Sequence, residues 1–142
     1  MSEKLSKESA QEQIKLLFDN YNMDPADIED EKKANSLLGL KNLLEILVMN
    51  RQIEVKETDD GGVIVEQHLQ RPPKDFANPV ITYAEICGKH KIAMKDNDEN
   101  DNYGKIHSLM GAMSGLGGTA ISQLKTVDMS AIETLGAYFL AV

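Results

Sequence analysis

The stretch "QIEVKETDDGGVIVEQHL", residues 52–69, constrains the fold more than any other part of the chain. Two runs of alternating character flank "DDGG", whose glycines accept the positive φ of a tight hairpin turn. Ile53 and Val55 alternate with Glu54 and Lys56, so one face is buried and the other wet. Two strands alone are marginal in water. This hairpin must therefore pack on helices of its own chain or extend a partner's sheet.

Helices are available before it. Ser9 and Glu12 have the spacing of a capping box. Ile14, Leu17, Phe18 and Tyr21 then share one helical face. Asp24-Pro25 restarts a helix, with Asp24 as N-cap and Pro25 at the first position, where its missing N–H costs nothing. Asp27, Glu29, Asp30 and Glu31 suit the positive end of that helix. Leu37, Leu40, Leu44 and Leu47 continue a stripe widened by Leu38, Leu43 and Val48, which predicts a core helix.

After the hairpin, "QRPPKDFANP" (70–79) stops regular structure through Pro72, Pro73 and Pro79. In "VITYAEICGKHKIAMK", Thr82 and Glu85 have capping-box spacing, and Tyr83, Ile86, His90, Ala93 and Met94 have helical spacing. A helix is the preferred reading. The β-branched and aromatic residues 80–83 leave a third strand open. Tyr103, Ile106, Met110, Met113 and Leu116 form a further helical stripe that "GLGG" terminates. Thr119 is placed to cap a short helix carrying Ile121 and Leu124. Asp128 is placed to cap a last one carrying Met129, Ile132, Leu135, Tyr138 and Phe139. Ala112, Ser114 and Gly136 are small enough to let helices approach closely.

The chain thus reads as α+β and mostly helical, a helical bundle with one β-hairpin near the middle. Residues 1–50 form an N-terminal helical region, 51–71 the hairpin, 72–79 a linker and 80–142 a C-terminal helical region, all packed as one compact unit. A length of 142 residues suffices for a core without disulfides or metals, and the single cysteine, Cys87, excludes an internal disulfide.

Charge narrows the function. With 23 acidic against 15 basic side chains the formal net charge is −8, which repels phosphate backbones and argues against nucleic-acid binding. The opening "MSEKLSKESAQEQ" has no apolar signal core, and no apolar run reaches the roughly 20 residues that cross a bilayer. A soluble, non-secreted protein with no membrane association is expected.

Specific chemistry is weakly signalled. "KDNDENDNYGKI" (95–106) is rich in oxygen ligands, but every EF-hand register misplaces the central glycine or the terminal carboxylate. It reads as a solvated acidic connector. Cys87 and His90 are spaced to share a helical face, yet no orienting third group accompanies them. His68, Cys87, His90 and His107 suffice in number for zinc but match no usual ligand spacing. "GLGG" lacks the Gly-Lys-Ser/Thr ending of a phosphate loop. No catalytic residue, cofactor or metal site is assigned, and the chain is not expected to be an enzyme.

The segment "YGKIHSLMGAMSGLGGTAISQLKTVDMSAIETLGAYFLAV" resembles the C-terminal half of the tail assembly chaperones of long-tailed bacteriophages. The elements that carry the resemblance are Leu109, Ser114-Gly115-Leu116, Ile121, Leu124, Asp128, Leu135 and Phe139-Leu140. "VEQHLQRPP" is similar to the strand that opens such domains. The resemblance implies a small, acidic, mostly helical protein without catalysis. It would coat the tape-measure protein during virion morphogenesis in the host cytoplasm and help recruit tail-tube subunits, with or without forming a homo-oligomer. Met110, Met113, Leu116, Phe139 and Leu140 are then the expected partner-facing residues. Two other readings stand beside it. One is a structural tail or baseplate component retained in the virion, its hairpin adding strands to a neighbour. The other is a small metal-binding protein or enzyme using Cys87 and His90.

Overall fold

The structure, a computed structural model, describes residues 3–142. The first two residues of the N-terminal stretch, and with them the start of the 1–50 region, lie outside the described residues. Helix α1 (Lys7–Asn20) begins at Ser6, whose Oγ accepts from Ser9 N–H at 3.1 Å. The expected cap at Ser9 is thus displaced by three residues, because an earlier hydroxyl reaches the free amide first. The predicted face is present: Ile14, Leu17 and Phe18 are buried and Tyr21 is partly so.

Asp24 does cap a helical turn at Pro25, but it is a single 3-10 turn, Pro25–Asp27. Ile28 then turns extended and packs against the core. Helix α2 (Glu31–Met49) starts afresh at Asp30, whose carboxylate accepts from Lys33 N–H at 3.2 Å.

Strands β1 (Ile53–Glu57) and β2 (Val63–His68) form the expected hairpin, with Gly61 at φ +85 in the turn. Residues 80–83, preferred as helix, are instead a third antiparallel strand, β3 (Val80–Tyr83), in the order β1-β2-β3. Val55, Val65 and Tyr83 line up across the sheet on the buried face. Local capping spacing at Thr82 and Glu85 loses to cross-strand pairing of β-branched and aromatic residues. Glu85 serves the sheet: its carboxylate accepts from Val63 N–H at 2.7 Å.

The remaining elements are α3 (Gly88–Ile92), α4 (Asn102–Ser114), α5 (Gly118–Ile121) and α6 (Thr126–Ala141). Gly115 ends α4 in the left-handed region at φ +76, as "GLGG" predicts. Gly111 is the close-approach point between α4 and α5. A Cβ there would run into the Gly117 and Gly118 backbone, which cannot swing aside. Gly136 plays the same part between α6 and Ile106, where a Cβ would lie 2.6 Å from Ile106 Cγ2.

Asp128 is not the N-cap of α6. It lies inside the first turn, is 1% exposed, and reaches out of the helix. Its carboxylate accepts from Gln70 N–H at 2.8 Å and Arg71 N–H at 2.9 Å, just after β2. Its carbonyl accepts from Gln67 Nε2 at 2.9 Å, while Tyr83 Oη donates to Gln67 Oε1 at 2.7 Å. Sheet, linker and last helix are tied by this buried network. A second tie joins α1 and α6: Phe18 and Tyr138 stack with ring centroids 4.6 Å apart, and Tyr138 Oη donates to Leu17 O at 3.2 Å. One continuous core cluster runs from Ala10 to Phe139.

Asp128→Ala removes a buried carboxylate that accepts from two partly buried amides, and is expected to cost about 3 kcal/mol in urea unfolding. A change under ~0.5 kcal/mol would remove Asp128 as an anchor. Burial holds the Tyr83 phenol well above its ordinary value of 10.0, so unfolding releases its proton at alkaline pH. Stability from this neutral phenol is complete below pH 10 and is lost as pH rises toward the folded-state value. Tyr83→Phe is expected to be less stable by about 1–2 kcal/mol at pH 8. That gap should narrow by roughly 1 kcal/mol per pH unit between 10.5 and 11.5. Parallel curves for the two proteins would contradict the assignment.

Candidate functional site

Helix α2 has an apolar character that its packing does not use up. Leu37, Leu44 and Val48 are buried, as the stripe predicts, and Leu40 and Leu47 are partly buried. Leu38 and Leu43, expected to widen the same stripe, are instead 45% and 51% exposed, and Ile46 is 50% exposed. At 100° per residue these three, with Asn35, Gly39 and Asn42, sweep one arc opposite the core. Lys41 and Glu45 fall outside that arc, on the flank beside Leu37 and Val48. The arc is thus uncharged over roughly three turns in a chain where charged residues are 27% of the total. A Cβ on Gly39 would meet nothing within 4 Å, so the middle of the face is a shallow notch open to solvent.

Such a face can receive another apolar helix. The notch permits close approach, Leu38 and Leu43 bound the arc, and the Asn35 and Asn42 amides within it supply hydrogen bonds. Covering three half-exposed side chains contributes on the order of 1 kcal/mol each, which suits reversible contact. The other exposed apolar residues, Ile92, Tyr103, Leu116 and Val127, sit on separate elements and form no comparable stripe.

The residues expected to face a partner are distributed differently. Met110, Met113 and Phe139 are 0%, 3% and 1% exposed and point into the chain's own core. Leu140 is partly buried against that core, and Leu116 is exposed at 46% on the α4–α5 turn. The sequence pattern of α4 and α6 registers an apolar face correctly. Whether that face meets its own chain or another depends on tertiary packing, which here brings α4 and α6 against each other, α4 against β3 and α6 against α2.

The remaining candidates are also placed. Cys87 is the N-cap of α3, and its N–H donates to His90 Nδ1 at 3.1 Å, with Sγ 3.6 Å from the same nitrogen. His90 is buried and its basicity is lowered, first by burial and then by the Lys89 charge. A neutral ring is thereby favoured, and its Nδ1 lone pair is spent on the helix cap. His107 Nδ1 lies 2.8 Å from Ser122 Oγ, between α4 and α5. His68 lies on the outer face of the sheet beside Glu54 and Glu66. The four side chains weighed for zinc are thus not brought together. In the 95–106 stretch, Asp101 caps α4 by accepting from Gly104 N–H at 2.9 Å, and Asp98 accepts from Asn100 N–H at 3.4 Å. Asn97 Oδ1 accepts from Ser108 Oγ at 2.9 Å. These oxygens serve turns and a helix start. Among the described residues, no helix is long and apolar enough to cross a membrane.

Comparison with protein-family models, with curated proteins and with solved structures finds no match to this chain.

Leu38→Gln, Leu43→Gln and Ile46→Gln combined are expected to change folding stability by less than ~1.5 kcal/mol, since surface substitutions of similar helix propensity each stay within about 0.5. The same variant should bind less of a hydrophobic dye than the parent. A loss above ~4 kcal/mol in urea unfolding would place these residues in the core.

Proposed function

We propose that this protein is a non-enzymatic assembly chaperone that binds an apolar helix on the outer face of α2, and that its client is the helical tape-measure protein of a long-tailed bacteriophage. The observation that carries the helix-binding part is the uncharged arc formed by Leu38, Gly39, Asn42, Leu43 and Ile46, left uncovered on an otherwise charged surface. The net charge of −8 supports it, because mutual repulsion keeps copies with an exposed apolar face apart in solution. The phage assignment rests on the resemblance of residues 103–142. The order of α4, Gly turn, α5 and α6 is the one that resemblance implies. Leu116 is the one expected partner-facing residue of α4 and its turn that remains exposed.

Binding would be reversible and driven by apolar area, with α2 lying along successive helices of a long client. Tail-tube subunits would be recruited through other surfaces of the same complex. A structural component kept in the virion is the weaker reading. It asks the hairpin to add strands to a neighbour, yet Gln13 Oε1 already takes the Val55 N–H at the β1 edge, at 2.9 Å.

Co-expression with a long, helical tape-measure protein is expected to give a soluble complex. Leu43→Glu with Ile46→Glu should abolish it while the isolated protein keeps its fold by circular dichroism. Failure of the parent protein to associate would sink the client assignment. A complex indifferent to the two glutamates would sink the α2 site. Recovery of the protein in stoichiometric amounts from purified virions would favour the structural component instead.

A further inference from the structure

The outer face of the β1–β2 hairpin carries a group of metal-competent side chains. Glu54 and Glu66 are directly opposed in the register, and His68 follows on the same face of β2. One ligating atom of each lies within 4.8 Å of the others, and all three residues are half-buried, held by paired strands rather than by loops. Directly opposed like charges destabilise a sheet, so this pairing is a cost that a single amide would avoid. The chain offsets it with a cation. Lys56 Nζ lies 3.0 Å from Glu66 Oε1 and 3.6 Å from Glu54 Oε1. The two carboxylates are therefore already arranged around one positive charge. The His68 imidazole makes no side-chain hydrogen bond among the described residues and is available as a nitrogen ligand. Glu54 and His68 also line a cleft of about 560 Å³ with Lys4, Asn50, Arg51 and Gln70, which leaves the approach to the group open.

We propose that Glu54, Glu66 and His68 bind a borderline divalent cation, with Zn²⁺ as the reference ion, and that the Lys56 ammonium swings out when the metal enters. Mixed imidazole and carboxylate ligation suits zinc and its neighbours, whereas calcium and magnesium favour all-oxygen sets. Exchange of a singly charged ammonium for a doubly charged ion neutralises both carboxylates in full. Three protein ligands leave the fourth tetrahedral position to water from the cleft. This site lies on the sheet and is independent of the α2 face and its client.

The test is titration of the full chain with ZnCl₂ in competition with a chromophoric chelator, and with Co²⁺ to read coordination from its visible spectrum. One ion per chain is expected. His68→Ala and Glu66→Gln should each weaken binding at least tenfold, and Lys56→Met should strengthen it by a similar factor. Cys87→Ser should leave it unchanged. Circular dichroism on each variant checks the fold, and Glu54→Gln gives a second route if Glu66→Gln unfolds. Absence of binding by the parent chain overturns the proposal. So does binding that survives the His68 and glutamate substitutions, or that disappears with Cys87→Ser.

Discussion

The fold depends on one buried carboxylate. Asp128 sits in the first turn of α6 yet takes its hydrogen bonds from the backbone of residues 70 and 71. Those amides belong to the segment that leaves β2, where the proline-rich linker makes no ladder of its own. Without that acceptor, two partly buried N–H groups would lose charge-assisted hydrogen bonds, worth roughly 1.5–3 kcal/mol each at most. The same turn offers its carbonyl to Gln67, and Gln67 in turn receives the Tyr83 hydroxyl. The third strand, the linker and the last helix are thus fixed relative to one another by two fully buried hydrogen bonds at Gln67 and two partly buried ones at Gln70 and Arg71.

That anchoring explains why α2 has a spare face. The aromatic contact between α1 and α6 and the sheet anchored to α6 together enclose the core. Helix α2 closes it with Leu37, Leu44 and Val48, flanked by the partly buried Leu47 and Met49. Its opposite side has nothing left to cover. In a strongly acidic chain, an uncharged helical surface of Leu, Ile, Gly and Asn is a departure from surface chemistry that folding does not demand. The proposed binding of a client helix would supply a reason for it.

Much of the architecture was legible from local pattern. The hairpin and its glycine turn, the left-handed end of α4 at Gly115, and the apolar faces of α1, α4 and α6 follow from spacing that tertiary contacts reinforce. The misreadings have a common origin. Thr82 and Glu85 have helix-start spacing, but Val80–Tyr83 finds β2 as a neighbour, and pairing outweighs a local cap. Asp128 precedes an apolar run as an N-cap would, and only the folded chain reveals that its partners are 57 and 58 residues away. The proposed binding face was hidden for a different reason. The Leu-rich segment is apolar nearly all round, so its periodicity does not distinguish Leu37 inside from Leu38 outside. Met110, Met113 and Phe139 show the reverse: a clear stripe whose destination is the chain's own interior. The Glu54, Glu66 and His68 group is visible in sequence only once the strand register is known.

The central claim is that the outer face of α2 is the surface that takes a client helix. Backbone amide shift mapping of the ¹⁵N-labelled protein, titrated with a helical segment of the proposed tape-measure client, tests it most directly. The account predicts that shifts concentrate at Asn35, Leu38, Gly39, Asn42, Leu43 and Ile46. Shifts centred on α4, α6 or the sheet, with those α2 positions unmoved, would contradict it.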